Sequence, residues 1–285
     1  MNGLIQCVPN FSVGQDAAAI EAIVESIRLT PGVRLADWSA DRDHNRLVVT
    51  FTGPPEPVRA AALASAAAAI QVIDLGAHQG VHPRLGAIDV LPFVPLSGLT
   101  LAECAELAVR VGTEIAALHQ LPVFFYEAAS PLAHSLPFVR KSAFTALLPD
   151  LGPKTPHPTA GAVAAGARGP LIAYNVNLAT SNPAAARAIA REMRTLPTLP
   201  GIRALGLRLP SRGMTQVSMN LTRPAETPLL SVFQYIERRA ADLGTTAAES
   251  EIIGALPHSA ATGVFADALR CPAFRLEQVL PRSDP

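Results

Sequence analysis

The chain has 285 residues, of which 49% are hydrophobic and 16% charged, and its 23 basic side chains balance its 23 acidic ones. This composition excludes a disordered chain and supplies enough apolar material for one large domain or two of ordinary size. It also excludes an overall electrostatic field that would attract nucleic acid or an anionic membrane, so any anionic ligand must be bound by local charges.

The first half of the chain alternates apolar segments of strand length with longer segments of helical pattern. Asp16 and Thr100 each precede such a longer segment and are predicted to cap helices. A further helix, with a poor apolar pattern, is predicted at residues 131–148. The remaining elements predicted here are a helix from about Pro57 to Ile73 and strands at residues 4–11, 33–38, 47–52, 87–94 and 122–126.

The second half has a clearer pattern. Asn182 followed by Pro183 predicts a helix start, and Gly244 predicts a helix end. Strands are predicted at residues 171–178, 202–209, 214–221 and within 245–255, and helices at 183–193, at 228–243 and, as a closing element, beyond Pro257. The order strand, helix, strand, strand, helix, strand is that of a ferredoxin-like unit, and the first half starts with the same order. We therefore predict an α+β fold of two ferredoxin-like α/β sandwich subdomains in tandem, residues 1–165 and 166–285, with helices on the outer faces of the sheets.

The three cysteines are far apart and form no CxxC pair, so they predict neither a disulfide framework nor a zinc ribbon. Cys7 and Cys104 lie in apolar segments and are predicted to be small core residues. The N-terminus lacks a basic region followed by an apolar one, and the longest apolar segment, residues 60–70, is far shorter than the ~20 residues of a membrane span. We therefore expect a soluble, cytoplasmic protein.

Residues 150–169 are rich in proline and glycine and have no periodicity, which predicts a linker between domains. Clefts between domains often bind small molecules, so this connector is a candidate for lining a binding site. A solvated hinge would have the same composition. Both interpretations stay open on composition alone.

Residues 76–95 contain the densest group of catalytic residue types in the chain. His78 and His82 are four positions apart, but the glycines of this segment disfavour a helix and Pro83 favours an extended conformation at the residue before it. The histidines are therefore predicted to lie on a loop that leads into the strand at residues 87–94. A loop held by a rigid strand is a common position for functional side chains.

Three interpretations fit this loop: a metal site, acid or base catalysis, and a purely structural role for the histidines. The HxxxH spacing is that of metal ligands, but Gln79 occupies the position where a zincin has its glutamate. A single imidazole would be sufficient for general acid or base catalysis, with Arg84 placed to bind a carboxylate. In the third interpretation His78 and His82 only cap backbone carbonyls of the loop. No GxSxG, GxGxxG or Walker motif offers another chemistry.

A second polar segment, residues 41–46, joins two predicted strands and contains Asp41, Asp43, His44, Asn45 and Arg46. Most of these charges are also what a solvated connection would carry. Its Arg46 is the residue that we consider, with Arg84, for binding substrate carboxylates.

Five motifs, in order along nearly the whole chain, carry a resemblance to a known family: CVPNFSVG, DHNRLVVTFTG, HQGVHPRLGAIDVLPFVP, PDLGPKTPHPTAGAVAAGARGPLIAYNVNL and QVSMNLT. The chain resembles the formimidoyltransferase family, the folate-dependent enzymes of histidine breakdown, which occur alone or as the front part of formimidoyltransferase-cyclodeaminase. The resemblance implies two similar α/β subdomains with a folate passage between them, assembled as a homodimer. It also implies transfer of the formimidoyl group from N-formimino-L-glutamate to N5 of tetrahydrofolate, which is a cosubstrate.

Site residues follow from the same resemblance. The histidine of the family's HPR motif is regarded as the catalytic acid or base and falls on His82. The family's folate-contacting segment falls on ten consecutive residues here: Gly152, Pro153, Lys154, Thr155, Pro156, His157, Pro158, Thr159, Ala160 and Gly161. Within it, Lys154 is a candidate partner for the glutamyl tail of folate, and no metal is implied.

The chain departs from the family at Ser39, where animal members carry an acid proposed to assist the histidine. Val81 stands where a glutamate often precedes the catalytic histidine. These departures bear on the substrate more than on the reaction class. Two alternatives therefore stay open: a formimidoyltransferase for another donor such as formiminoglycine, and a folate-binding module without catalytic activity.

Overall fold

The computed structural model describes residues 3–80, 84–256, 268–275 and 278–280. They form two compact units, which divide between Gly169 and Pro170. Each unit has its own sheet and its own hydrophobic core, so the predicted α+β class with two tandem subdomains is confirmed. In the described part of the chain, no helix has both the length and the apolar character that crossing a membrane requires.

The first unit is built on a seven-stranded mixed sheet. The first strand is interrupted, and its two parts pair with the same neighbours, so it acts as one strand of the sheet. The elements in chain order are β1 (Leu4–Cys7), β2 (Asn10–Phe11), α1 (Ala17–Arg28), β3 (Arg34–Asp41), β4 (Arg46–Gly53), α2 (Pro55–Val72), β5 (Ile88–Ser97), α3 (Leu101–His119), β6 (Val123–Glu127), α4 (Leu136–Ser142) and β7 (Val163–Ala167).

The strand order across this sheet begins with a ferredoxin-like arrangement. From one edge the order is β3, β4, the β1/β2 strand and β5, all antiparallel. Strands β7 and β6 then extend the sheet in parallel beyond β5. The predicted repetition of the ferredoxin-like order in the first half is therefore confirmed, and the extension is what the first half adds to it.

Helix starts in the first unit follow the predicted caps. The Asp16 carboxylate accepts hydrogen bonds from the backbone N–H groups of Ala18 and Ala19, at 2.9 and 3.1 Å. Thr100 and Glu103 form a reciprocal capping box at the start of α3. Because these side chains satisfy backbone donors that a helix leaves unpaired, both helices begin where the sequence predicts.

The core of the first unit lies mainly between the sheet and α1, α2 and α3. The buried face of α2 is mostly alanine, as at Ala61, Ala62, Ala66 and Ala69, and such small side chains let a helix pack closely on its neighbours. A smaller cluster on the opposite face packs α4 against β6 and β7. The predicted core positions of the first two cysteines are confirmed, because both are fully buried.

The second unit is a four-stranded antiparallel sheet in the order β11, β8, β10, β9. This is the strand order of a ferredoxin-like fold, as predicted. Its elements are β8 (Ile172–Leu178), α5 (Pro183–Met193), β9 (Ile202–Leu209), β10 (Met214–Leu221), α6 (Leu229–Asp242) and β11 (Ala247–Ile253). The closing helix predicted beyond Pro257 lies for the most part outside the described residues.

Two predictions about segments of the first unit are wrong. The helix predicted at residues 131–148 is limited to α4, because Ser135 caps it late and Ala143 leaves it in a non-helical conformation. The linker predicted at residues 150–169 contains β7, a fully buried strand. The Tyr126 ring lies over Gly166 of β7, where a Cβ atom would be 2.6 Å from the ring, so this position requires glycine. The composition of β7 reflects close packing.

Candidate functional site

Three loops of the first unit meet at Asn45, in the turn between β3 and β4. The Asn45 amide donates a hydrogen bond to the carbonyl oxygen of Gln79 (2.8 Å) and accepts one from the backbone N–H of Gly14 (2.7 Å). Asn45 has a φ of 46°, in the left-handed region that asparagine tolerates better than most residues. One side chain therefore ties the predicted histidine loop to the loop that follows β2.

Gly80 lies equally close to this turn. A Cβ atom at Gly80 would be 2.5 Å from the carbonyl oxygen of His44 and 2.9 Å from the Cβ of Asn45. A residue with a side chain at position 80 would clash with the turn at His44 and Asn45, so the loop could not lie this close to it. The polar segment at residues 41–46 is thus part of the site's framework as well as a solvated connection.

His78 is held inside the loop by both of its ring nitrogens. Its Nε2 lies 3.1 Å from the carbonyl oxygen of Asn45, and its Nδ1 contacts Nη1 of Arg84. Because the guanidinium can only donate, Nδ1 accepts and Nε2 carries the proton. Burial, and then the charge of Arg84, lower the pKa of His78 below its ordinary value. His78 is therefore a neutral, structural member of the loop.

Arg84 also donates from Nη2 to the carbonyl oxygen of Gly80 (2.7 Å). Its guanidinium therefore joins the two sides of the loop that contains His82. Burial lowers the pKa of Arg84, although the charge of Asp89 opposes this effect. The proposed catalytic residue, His82, lies outside the described residues, which flank it at Gly80 and Arg84.

Asp89, at the start of β5, has a buried carboxylate that pairs with two arginines and contacts the end of the histidine loop. Its Oδ2 accepts a hydrogen bond from Nη1 of Arg46 (2.5 Å) and another from Nη2 of Arg140. Its Oδ1 accepts from the backbone N–H of Leu85 (2.7 Å), one residue after Arg84. Asp89 therefore links β4 and α4 to the end of the histidine loop.

Asn10 completes this cluster from β2. Its side-chain oxygen accepts hydrogen bonds from Nε and Nη2 of Arg46, at 3.2 and 2.7 Å. Burial would raise the pKa of Asp89, but the charges of Arg46 and Arg140, with hydrogen bonds from Arg46 and the backbone of Leu85, outweigh it and hold that pKa below its ordinary value. Asp89 is thus ionised at neutral pH, and Arg46 is oriented by two acceptors.

The second half of the predicted folate segment lies directly beside the histidine loop. His157 and Gly161 exchange two backbone hydrogen bonds, of 2.8 and 2.9 Å, that close a short turn. The His157 Nδ1 accepts from the backbone N–H of Ala160 (3.1 Å) inside this turn. The turn is therefore fixed by its own backbone and by one imidazole.

This turn is hydrogen-bonded to both flanks of the loop. The N–H of Leu75 donates to the carbonyl oxygen of Thr159 (2.8 Å), and the N–H of Ala87 donates to that of Ala160 (2.9 Å). The contact of Ala162 with Leu85 extends the pairing. The segment predicted to lie between domains thus belongs to the first unit, together with the loop.

The first half of the folate segment follows the edge of β6. Leu151, just before it, accepts a hydrogen bond from the N–H of Val123 (3.0 Å). Gly152 has a φ of 80°, and a Cβ atom there would lie 2.7 Å from the carbonyl oxygen of Leu121. Lys154 and the two residues after it are exposed. The segment is therefore anchored at both ends and open to solvent between them.

Gly86 provides a direct test of this packing. A Cβ atom at Gly86 would lie 1.8 Å from the carbonyl oxygen of Ala162 and 2.8 Å from that of Ala160. We expect Gly86→Ala to force the turn away from the loop and to lower the free energy of unfolding by about 3 kcal/mol. Denaturant unfolding followed by the fluorescence of Trp38, the chain's single tryptophan and part of the first unit, measures this loss.

Gly169→Ala is the matched control, because a Cβ atom there meets nothing within 4 Å. This control should change the free energy of unfolding by no more than about 0.5 kcal/mol. Equal stability of the two variants would contradict the close packing of the turn on the loop.

Three framework residues escaped prediction from the sequence: Asn10, Asp89 and Arg140. A signal did exist for Asp89, since an acidic residue between Ile88 and Val90 in an apolar strand requires a buried partner. The partners themselves are distant in sequence and offer no local signal.

Two family models match the chain. The Formiminotransferase domain, N-terminal subdomain, matches residues 4–168, and the Formiminotransferase domain matches residues 173–266. The chain belongs to the formiminotransferase domain family. The two matches meet close to the boundary between the units, and the family resemblance predicted from the five motifs is confirmed.

Full-length relatives agree with this assignment to the formiminotransferase family. The chain is 38% identical over 272 residues to a glutamate formimidoyltransferase of Streptococcus pyogenes serotype M1, covering 91% of each chain. It is 36% identical over 293 residues to a glutamate formimidoyltransferase of Thermoplasma acidophilum, covering 98% of this chain and 96% of the relative. With the formimidoyltransferase-cyclodeaminase of Sus scrofa it shares 38% identity over 275 residues, 90% of this chain but only 51% of that one. The predicted transferase class is confirmed.

Proposed function

We propose that this chain transfers the formimidoyl group of N-formimino-L-glutamate to N5 of tetrahydrofolate and releases glutamate. Its membership of the formiminotransferase family and the names of its full-length relatives support the reaction. The homodimer and the cytoplasmic location expected from the resemblance belong to the same proposal.

The observation that carries this proposal is the pairing of the folate segment with the histidine loop. Thr159 and Ala160 accept backbone hydrogen bonds from the two flanks of the loop that contains His82. A ligand held along this segment would therefore lie next to the loop to which His82 belongs. Reaction between two bound substrates requires this proximity, because holding the reacting groups together removes much of the entropic cost.

The residues of the folate segment fit a folate. The segment Gly152–Gly161 contains no acidic residue that would repel the glutamyl carboxylates. Lys154 is exposed on it and is a point charge suited to them. Asp150, just before the segment, is engaged by the backbone N–H of Phe125 (2.7 Å). When bound, tetrahydrofolate supplies the amine that accepts the formimidoyl group.

We assign the proton transfers to His82. The accepting amine must lose a proton, and the nitrogen of the departing glutamate must gain one, so one imidazole that titrates near neutrality can perform both steps in turn. His78 does not share this role in the proposal, because both of its ring nitrogens are engaged within the loop. Arg46 and Arg84 supply positive charge beside the loop for the donor's carboxylates.

A turnover assay tests the proposed function. The purified chain is offered tetrahydrofolate with either formiminoglutamate or formiminoglycine, and the product folate is followed by its absorbance. We expect turnover with formiminoglutamate, and we expect it to persist after treatment with a chelator, because the mechanism uses no metal.

Each other outcome of this assay identifies an alternative. Turnover with formiminoglycine alone would assign a different donor. Folate binding without turnover of either donor would identify a binding module, and loss of turnover on chelation would favour a metal-dependent enzyme.

A further inference from the structure

The cluster around Asp89 contains an arginine that the proposed function does not use. Arg140 lies near the end of α4 and donates from Nη2 to Asp89, which also accepts from Arg46. Two guanidinium groups therefore share one oxygen of one carboxylate. The cluster formed by these three residues carries more positive than negative charge.

Within the part of the chain that the structure describes, the hydrogen bonds of Arg140 are incomplete. A guanidinium has five N–H donors, and among the described residues Arg140 uses only Asp89 as an acceptor. Its Nε is buried and has no hydrogen-bond partner in the described part of the chain. Among the described residues Asp89 satisfies only part of the hydrogen-bonding capacity of Arg140, and the remaining donors of the guanidinium suit a ligand with acceptor oxygens.

Arg140 is nevertheless accessible enough to contact a ligand. Its side chain keeps 22% of its surface exposed, whereas that of Asp89 keeps none. Asp89 can therefore hold the guanidinium in position through its hydrogen bond, and it cannot itself contact a substrate. An arginine held in this way is suited to a carboxylate, which its planar donors match in geometry and charge.

The chemistry of the donor indicates which carboxylate this is. In formiminoglutamate the nitrogen that departs is bonded to the α-carbon, so the α-carboxylate must lie close to the group that protonates this nitrogen. With His82 as that group, Arg84, which belongs to the same loop, is the candidate partner for the α-carboxylate. The carbon of the side-chain carboxylate is three bonds from the α-carbon, so this carboxylate needs a separate positive group.

We propose that Arg140, positioned by Asp89, binds the side-chain carboxylate of formiminoglutamate and makes the enzyme specific for a donor with two carboxylates. This assignment rests on the proposed function. Arg140 is on a different element from Arg84, and Asp89 connects it to the loop through Leu85. The two positive groups are thus held in a fixed relation by one carboxylate.

The test compares two donors of the same shape. Formiminoglutamine replaces the side-chain carboxylate of formiminoglutamate with an amide, so only the charge differs. We expect the wild-type enzyme to prefer formiminoglutamate in kcat/KM by about ten- to a hundredfold, the effect of one charged hydrogen bond. In Arg140→Gln this preference should fall to within about threefold, through a higher KM for formiminoglutamate and an unchanged kcat/KM for formiminoglutamine.

Two further variants separate binding from structure. Arg140→Lys keeps the charge without the planar donors and should recover part of the preference. Lys141→Gln removes the neighbouring exposed charge from the same helix and should leave the preference unchanged. Melting temperatures of all variants show whether each is folded. An equal loss of kcat/KM for both donors in Arg140→Gln, or an unchanged preference, would overturn the assignment.

A binding experiment keeps this inference distinguishable from the proposed function. Calorimetric titration with L-glutamate and with L-glutamine requires no turnover. Wild-type enzyme should bind glutamate more tightly, and Arg140→Gln should lose that difference. If the wild-type chain turns over neither donor but shows this binding difference, the function fails and the carboxylate site stands. If it binds glutamate no better than glutamine, the carboxylate site fails.

Discussion

His82→Ala is expected to lower turnover at least about a hundredfold, the usual contribution of a general acid or base. The residue lies between Gly80 and Arg84, whose contact through the Arg84 guanidinium closes the loop. Substitution leaves these flanking contacts and the folate segment in place. Folate binding, measured by equilibrium dialysis, should therefore stay close to that of the wild type while steady-state turnover falls.

His119→Ala is a suitable control, because His119 ends α3 and is outside the contacts of the loop. Its turnover should equal that of the wild type. The pH dependence of the wild-type rate should show a group that titrates near neutrality and that is missing from the residual rate of His82→Ala. Near-normal turnover of His82→Ala would refute the assignment, whereas joint loss of turnover and folate binding would indicate a structural role.

Much of the fold could be predicted because its signals are local. The strand at Met214–Leu221 was predicted with both ends correct, since alternating apolar residues and a glycine turn define it within one segment. The same holds for the helix caps at Asp16 and Thr100. A local pattern determines a local structure, and the order of such elements was enough to predict two ferredoxin-like units.

Strand β7 could not be predicted because its signal is not local. Its Gly166 allows close packing against the ring of Tyr126, which is distant in sequence. Read alone, the segment has the composition of a linker, and the domain boundary was accordingly predicted after residue 165. The units divide after Gly169, because β7 completes the first sheet.

The candidate site also has parts that the sequence predicts and parts that only the fold brings together. His82 and the folate segment are predicted from motifs and remain predictions; in the structure the folate turn pairs with Leu75 and Ala87, which flank the loop that contains His82. The charge cluster required the fold, because Arg46, Asp89 and Arg140 come from three different elements. The geometry also adds a structural role for Arg46, which the sequence suggests as a substrate contact and which the structure pairs with Asp89.

Asp89→Asn is expected to lower the free energy of unfolding of the first unit by about 3–5 kcal/mol at pH 7, the effect of breaking a buried ion pair. The amide can present only one oxygen. If that oxygen keeps the hydrogen bond from Leu85, the amide N–H groups face the donors of Arg46 and Arg140, and two partly buried guanidinium groups lose their counter-charge. Denaturant unfolding followed by Trp38 fluorescence measures the loss.

The control for this change is Glu114→Gln, which removes a partly exposed ion pair with Arg59 in the same unit. Exposed pairs contribute about 1 kcal/mol or less, so this variant should remain close to the wild type. A loss in Asp89→Asn no larger than that of the control would contradict the structural role of the buried carboxylate.

The pH dependence of the Asp89→Asn effect gives an independent check. The pKa of Asp89 is lowered in the folded chain, so its carboxylate stabilises the fold above the ordinary aspartate pKa of about 4. This stabilisation is lost as the pH falls through the lower, folded pKa. The difference in unfolding free energy between wild type and Asp89→Asn should therefore be constant near neutrality and shrink below about pH 4.

The double variant Asp89→Asn/Arg140→Gln shows where the loss arises. If the cost of Asp89→Asn comes from leaving two arginines without a counter-charge, removing one of them should restore part of the stability, and the two changes should not be additive. Additive effects would mean that Arg140 and Asp89 act independently. Asp89 could then not be the residue that positions Arg140 for a substrate carboxylate, so this cycle tests the stability of the cluster and the basis of its proposed specificity together.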